Sequence, residues 1–199
     1  MLAYAAICGL TCLLGAGPAF AADVPATAQG DAGAEALSRV RQRAIEQFVG
    51  GGGGGRHLAE EIRKNDAWCE AEMARPLVRV LWDETAAAYM NQRLAACAAE
   101  ARSLAVAYRS RGGRFEHNAE VRQRLIAKIE NVLEHYSPSS PRPGNWFQWH
   151  MTMPQHLTAA ALLMQAELPP ALLARLREAL TFQLTEMTLT GPNGVWEAR

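Results

Sequence analysis

Residues 83–109 read DETAAAYMNQRLAACAAEARSLAVAYR, and this stretch decides the fold class. Apolar residues recur along it at alternating steps of four and three. They are Met90, Leu94, Cys97, Ala101, Leu104 and Tyr108. That spacing places them on one continuous face of a helix. We therefore predict one long helix over 83–109 that packs against its neighbours along its whole length.

Further helices are predicted on both sides of this stretch. Helical spacing covers 34–49 and 57–73, and Asn118 is suited to cap a helix after the Gly112-Gly113 break. The proline-rich stretch 137–144 ends that helix. Pro154 and the pair Pro169-Pro170 then open two more. No run shows strand alternation, so the predicted class is all-α, built from helical hairpins joined by short loops.

Composition limits the function classes. The chain has 199 residues, of which 49% are hydrophobic, enough for one sizeable core. Lysine plus arginine and aspartate plus glutamate number 20 each, so no global field favours nucleic acid or an anionic membrane as a partner. A polyanionic substrate would have to be met by a local patch.

The N-terminus has the pattern of an export signal. Residues 3–16 are apolar and uncharged, and Ala19-Phe20-Ala21 fits the small-x-small cleavage rule, although a positive n-region is missing. A membrane anchor is the alternative, but the run is short and Pro18 interrupts it. We expect a secreted or periplasmic protein with a signal peptide at 1–21, a flexible leader at 22–55 and a helical domain at 56–199.

Glycines and cysteines offer no cofactor or metal site. The glycine run 50–55 lacks the Lys-Ser/Thr and the preceding strand of a phosphate loop, so we interpret it as a loop or hinge. Signal removal would leave Cys69 and Cys97, both on apolar-rich helical stretches. A disulfide and two buried free thiols remain open alternatives. No cofactor and no bound metal are expected.

Two segments interrupt the helical pattern. The first, GNWFQWH at 144–150, carries three aromatic residues in four positions between a proline-rich loop and a helix. These rings cannot all point one way, so at least one is expected at the surface beside the Asn and Gln amides. Aromatic rings stack on the apolar face of a sugar, and amides form hydrogen bonds with its hydroxyl groups. The alternative is that the rings pack in the core where two helices meet. The second segment, TGPNGVW at 190–196, contains Asn193, which alone is an ordinary turn or cap residue.

Together these segments resemble the family 8 polysaccharide lyases, the hyaluronate, chondroitin and xanthan lyase group. That family carries Asn-Trp-Trp-x-x-Glu-Ile-Gly-x-Pro, a helical pair, and then Thr-Gly-Ala-Asn. The positions that match are Asn145, Trp146, Phe147, Met151 and Pro154, followed by Thr190, Gly191, Pro192 and Asn193. Leu81-Trp82-Asp83 also resembles the start of the family's long helix. The resemblance covers about 56–199.

The resemblance implies part of an incomplete (α/α) toroid that binds an acidic, uronate-containing polysaccharide cleaved by β-elimination. Asn193 inherits the catalytic asparagine, whose amide neutralises the uronate carboxylate so that the C5 proton can leave. Trp146 and Phe147 inherit the aromatic patch that seats the chain, with Asn145 beside them. The family's catalytic His, Tyr and Arg lie further along, whereas this chain ends six residues after Asn193. We therefore expect the chain to be inactive alone.

Departures from the family pattern qualify these roles. His150 stands where the family has Glu, Thr152 where it has Gly, and Phe147 where it has its second Trp. His150 is placed among the substrate-binding residues, and a polar histidine beside the cleft or a core histidine is favoured over a catalytic base. His117, His135 and His156 are interpreted as surface residues. A stand-alone helical carbohydrate-binding or periplasmic interaction module and a plain helical bundle are the alternatives to a lyase domain.

Overall fold

The computed structural model describes residues 29–49, 55–77, 87–142 and 144–185. Within these ranges it contains α-helices and one π-helical turn, and no strand is assigned there, so the predicted all-α class is confirmed. In chain order the elements are α1 Gln29–Val49, α2 Gly55–Met73, α3 Ala87–Arg109, α4 Ala119–Leu133, the π-helical turn Gln148–Thr152, α5 Met153–Met164 and α6 Pro170–Thr185. None of the helices described here is both long and apolar enough to cross a membrane.

The predicted helices correspond to observed ones with small changes at their ends. The first helix begins at Gln29 rather than at residue 34, and the second begins at Gly55 rather than at residue 57. The signal segment, most of the glycine run and Leu81-Trp82-Asp83 lie outside the described residues.

Helix α3 is the centre of the packing. It contacts α1, α2, α4, α5 and the π-helical turn, and its most extensive contacts are with α4 and α5. All six residues of the stripe predicted for this helix are buried. Alanines on its other positions, including Ala95, Ala98 and Ala105, are buried as well, so the helix is enclosed on more than one face. Burial on more than one face places this helix between its neighbours, although Tyr89, Gln92 and Arg93 near its start are exposed.

Helix α4 begins where the sequence predicts. Asn118 has an extended backbone, and its side-chain oxygen accepts hydrogen bonds from the backbone N–H groups of Glu120 and Val121 at 2.9 and 3.1 Å. These bonds satisfy N–H groups that have no partner within the helix. The buried face of the helix then packs on α3 through Val121, Leu125 and Ile129.

A buried ion cluster joins α2, α3 and α4. The ammonium of Lys128 lies 2.7 Å from a Glu72 carboxylate oxygen and 2.6 Å from one of Glu100. Lys128 and Glu72 are 6% and 4% exposed, so both charges have left water. Burial lowers the pKa of Lys128, but its hydrogen bonds to Glu100 and Glu72 outweigh that effect and raise the pKa above its usual value. The lysine is therefore a permanent cation of the interior.

The two cysteines are separate free thiols, which decides between the alternatives left open by the sequence. Cys69 and Cys97 are both buried. Burial raises the pKa of Cys69 to about 12 and that of Cys97 to about 11, with smaller contributions from nearby charges. Because the thiolate is the reactive form, both thiols are inert at neutral pH.

Removing Lys128 should destabilise the fold strongly. In Lys128→Ala the buried Glu72 carboxylate loses its closest cation, and we expect a loss of about 3–5 kcal/mol in the free energy of unfolding. Lys64 is the matched control, because it also pairs with two glutamates, at 3.0 and 3.4 Å, but on an exposed surface. Lys64→Ala should leave the urea midpoint nearly unchanged. Equal midpoints for the two variants would contradict a structural role for the cluster.

His156 should make stability depend on pH. The prediction that it lies at the surface is wrong: it is partly buried, and its Nδ1 is enclosed with no hydrogen-bond partner. Burial, assisted by the charge of Arg102, lowers the pKa of His156 to about 4. The unfolded chain, with a histidine pKa of about 6.5, then binds the proton more tightly than the folded chain does.

The resulting stability is complete above about pH 6.5 and is lost as the pH falls towards 4. Urea unfolding at pH 7 and pH 4.5 should therefore show a smaller acid-induced loss for His156→Gln than for the wild type. The exposed His117 provides the control, and His117→Gln should keep the wild-type pH dependence. An unchanged pH dependence in His156→Gln would show that other groups carry the effect.

Candidate functional site

The segment 144–152 connects the loop after α4 to α5, and its first two residues form a tight turn. Gly144 has φ = +80°, in the region that favours glycine. The Asn145 side-chain oxygen accepts a hydrogen bond from the backbone N–H of Phe147 at 2.9 Å, and its backbone carbonyl accepts one from Gln148 at 3.1 Å. Asn145 therefore starts the helical turn that carries the aromatic residues, through its side chain and its backbone.

Asn91 of α3 forms a hydrogen bond with this turn. It is fully buried, and its Nδ2 donates a hydrogen bond to the Asn145 carbonyl at 3.2 Å. A Cβ atom on Gly144 would lie 2.7 Å from that Nδ2, closer than side chains tolerate. The close approach and the positive φ both require glycine at this position. The turn is thus fixed to the central helix by one amide.

A π-helical turn then determines which aromatic ring faces inward. The N–H of Met153 bonds the carbonyl of Gln148, five residues back rather than four. Trp149 is fully buried and stacks on Tyr136 with ring centroids 5.9 Å apart and planes within 6°. The Tyr136 hydroxyl donates to the Trp149 carbonyl at 2.9 Å. Trp149 therefore belongs to the core.

Trp146 and Phe147 form the outer part of the segment. The Phe147 side chain is 47% exposed, whereas Trp146 is partly buried. Their rings meet edge to face, with centroids 5.8 Å apart and an interplanar angle of 80°. An exposed ring supported by a second ring on a fixed turn is suited to stacking against the apolar face of a sugar.

His150 lies on the inner side of the segment. It is 8% exposed, and its Nδ1 lies 2.8 Å from the backbone carbonyl of Gln183 on α6. A carbonyl oxygen can only accept, so this bond places a proton on Nδ1. The structure thus separates His150 from the exposed Phe147 ring.

Asn193 lies outside the described residues, as does the rest of 190–196. The structure therefore brings Asn145, Trp146, Phe147 and His150 into one turn but does not relate that turn to Asn193.

Sequence reasoning missed two buried amides at this segment. One is Asn91, and the signal that could mark it is its place next to Met90 in the apolar stripe of α3. The other is Gln183, which is fully buried, and neither polar atom of its side chain has a hydrogen-bond partner in the part of the chain that is described. Buried polar groups without partners are rare, which marks this side of α6 as unusual.

The cleft found in the described part of the chain lies away from this segment. Among the residues that the structure describes, no group of three His, Cys, Asp or Glu side chains is arranged to hold a metal ion. A cleft of about 290 Å³ is lined by α1, α2 and the C-terminal half of α3, including Phe48, Ile62 and Arg102. None of its lining residues belongs to 144–152, so it is a separate feature.

The fold and the aromatic turn define an all-helical domain of the kind found in polysaccharide-degrading enzymes. A solved structure described as Paenibacillus xanthan lyase matches with a TM-score of 0.68 and 18% sequence identity over 83% of this chain. This chain spans 17% of the length of that one. No curated protein matches by sequence.

The family is established by the sequence itself. Residues 56–192 match the model of the polysaccharide lyase family 8, N terminal alpha-helical domain. The chain belongs to polysaccharide lyase family 8 and carries this domain, which confirms the resemblance seen in the sequence.

Adding a methyl group at Gly144 should disturb the aromatic turn. Gly144→Ala incurs the cost of a positive φ, about 1–2 kcal/mol, and also displaces Asn91 from the Asn145 carbonyl. Gly112 is the matched control, because its φ is +75° but a Cβ there meets nothing within 4 Å. Thermal or urea unfolding should show that Gly144→Ala costs about 1 kcal/mol more than Gly112→Ala. Equal costs would mean that the contact with Asn91 does not constrain the turn.

Proposed function

We propose that this chain is the N-terminal, substrate-binding part of a secreted polysaccharide lyase that cleaves uronate-containing polysaccharides by β-elimination. The observation that carries the proposal is the Trp146–Phe147 pair, with the Phe147 ring exposed, on a fixed turn in a domain that belongs to family 8. The solved xanthan lyase that shares the fold is consistent with an acidic polysaccharide as the substrate. The apolar segment 3–16 supports export.

Each residue of the segment has a distinct part in this proposal. Phe147 and Trp146 stack on the apolar face of a sugar ring, and Asn145 orients the turn through the bonds of its side chain and its carbonyl. His150 is buried between the turn and α6. Its Nδ1 bonds the backbone carbonyl of Gln183, and this bond holds the segment against α6. This assignment keeps His150 in the site but gives direct stacking contacts to the aromatic pair.

The proposed chemistry centres on Asn193. A neutral amide aimed at the uronate carboxylate stabilises the charge that develops when the C5 proton is removed. Elimination then also needs a base for that proton and an acid for the leaving O4 oxygen. In the proposal these two groups lie outside the present sequence, and the 199 residues alone bind without cleaving. The incomplete α/α toroid is likewise the proposed arrangement of the whole domain.

A carbohydrate-binding module without catalysis is the second candidate. It is favoured by one observation: the aromatic pair and the amide contact that holds its turn lie within residues 91–150. Incubation of the native secreted protein with hyaluronan, chondroitin sulfate and xanthan distinguishes the two. A lyase generates a conjugated double bond that absorbs ultraviolet light, whereas a binding module leaves the polymers intact.

The binding proposal is tested by removing the aromatic faces. Phe147→Ala should raise the Kd for the polymer that binds by roughly two- to tenfold, from an aromatic contribution of about 0.5–1.5 kcal/mol. Trp146→Ala should weaken binding at least as much, because it also removes the ring that supports Phe147. Isothermal titration with fragments of hyaluronan, chondroitin sulfate and xanthan measures the effect.

Phe48 is the control for this experiment. It is another partly exposed phenylalanine, 38% against 47% for Phe147, but it lies on α1. Phe48→Ala should leave the Kd unchanged. Wild-type affinity in both Phe147→Ala and Trp146→Ala, or no binding by the wild type to any of the polymers, would overturn the proposed function.

A further inference from the structure

The chain around the aromatic turn carries almost no charge. Between Glu134 and Glu167 the sequence has no Asp, Glu or Lys and a single Arg, Arg142. That arginine precedes Asn145 by three residues. The one permanent charge near the aromatic pair in sequence is therefore positive, the sign that an acidic polymer requires.

Arg142 is held in place by an aromatic ring and not by a carboxylate. Its guanidinium carbon lies 4.7 Å from the centroid of the Phe182 ring on α6. The side chain is partly exposed. Some arginines of the described chain pair with acids instead: Arg114 lies 2.7 Å from Glu70, and Arg122 and Arg124 lie within 4 Å of carboxylates. No ion pair of Arg142 is found among the described residues.

The position of this charge relative to the site is set by α6. Phe182 precedes Gln183, whose backbone carbonyl lies 2.8 Å from Nδ1 of His150 in the π-helical turn. Arg142 therefore belongs to the same structural unit as the aromatic turn.

Stacking leaves the hydrogen-bonding edge of a guanidinium free. A ring covers one face of the plane, while the N–H groups point outward along the plane in a fork that matches both oxygens of a carboxylate. An arginine that stacks on an aromatic ring and has no acidic partner among the residues with known placement is thus suited to bind an anion.

We propose that Arg142 binds the carboxylate of an acidic sugar and gives the aromatic turn its preference for charged over neutral polysaccharides. This inference rests on the proposed function, because it names the group of the substrate that the same site recognises. Stacking by Trp146 and Phe147 supplies affinity for the sugar ring, and Arg142 supplies discrimination by charge.

The test compares each acidic polymer with its own carboxyl-reduced form. Fragments of hyaluronan, chondroitin and xanthan are titrated, in both forms, into the wild type, Arg142→Gln and Trp146→Ala. Arg142→Gln should raise the Kd for the acidic form about tenfold or more, the scale of a charge-assisted hydrogen bond, and should change the Kd for the reduced form by less than about twofold. Trp146→Ala should weaken binding of both forms.

Three further variants separate recognition from a merely structural role. Arg142→Lys keeps the charge but loses the fork, so its Kd should lie between those of wild type and Arg142→Gln. Phe182→Leu removes the stacking face and should weaken binding of the acidic form specifically. Arg175, which is exposed on the same helix, is the charge-matched control, and Arg175→Gln should bind both forms like the wild type.

The outcomes are distinct. The inference is overturned if Arg142→Gln binds the acidic form with the Kd of the wild type, or if its Kd rises equally for both forms. Either result would mean that Arg142 does not recognise the carboxylate. In either case the proposed function stands as long as Trp146→Ala weakens binding. If the wild type binds none of the polymers, the proposed function fails first and this inference fails with it.

Discussion

The enclosure of α3 is the constraint on which the rest of the structure depends. Its alanines allow neighbouring helices to approach closely, and its larger residues fill the spaces between them. A helix packed in this way cannot easily rotate or slide, because each small shift would place a side chain where only a methyl group fits. Groups that project from α3 therefore hold defined positions. Asn91 fixes the aromatic turn near one end, and Glu100 meets the buried lysine further along.

Polar groups in this interior act as fixed points within an otherwise apolar core. The Glu72–Lys128–Glu100 cluster ties three helices together, while Asn91 ties one of them to a loop. Each contact has a defined length and direction, unlike the apolar contacts around it. Asn91 contributes to both the fold and the candidate site. Its buried amide bonds the Asn145 carbonyl and so determines the position of Trp146 and Phe147.

The helices could be predicted from the sequence, but the side chains that position the aromatic turn could not. Apolar spacing predicted α3 and α4, and Asn118 predicted the start of α4, because local rules govern both. Three aromatic residues in four positions showed that one would be exposed, and Phe147 is. The sequence did not identify Trp149 as the buried one, because the π-helical turn that orients it has no periodic signature. Asn91 and Gln183 were missed because their contacts join residues distant in sequence, and His156 was misplaced because α5 is covered on more sides than its own pattern indicated.

The π-helical turn has a consequence for how this surface changes during evolution. A π turn amounts to one residue more than an α-helix needs, and each residue rotates a helix by roughly 100°. Loss of a single codon between Gln148 and Thr152 would restore α-helical geometry and turn the preceding aromatic residues relative to α5. Insertions and deletions at this point, more than substitutions, can therefore exchange the ring that faces outward. The surface of the aromatic turn is therefore adjustable through the number of residues in this segment, while the helices beneath it stay as they are.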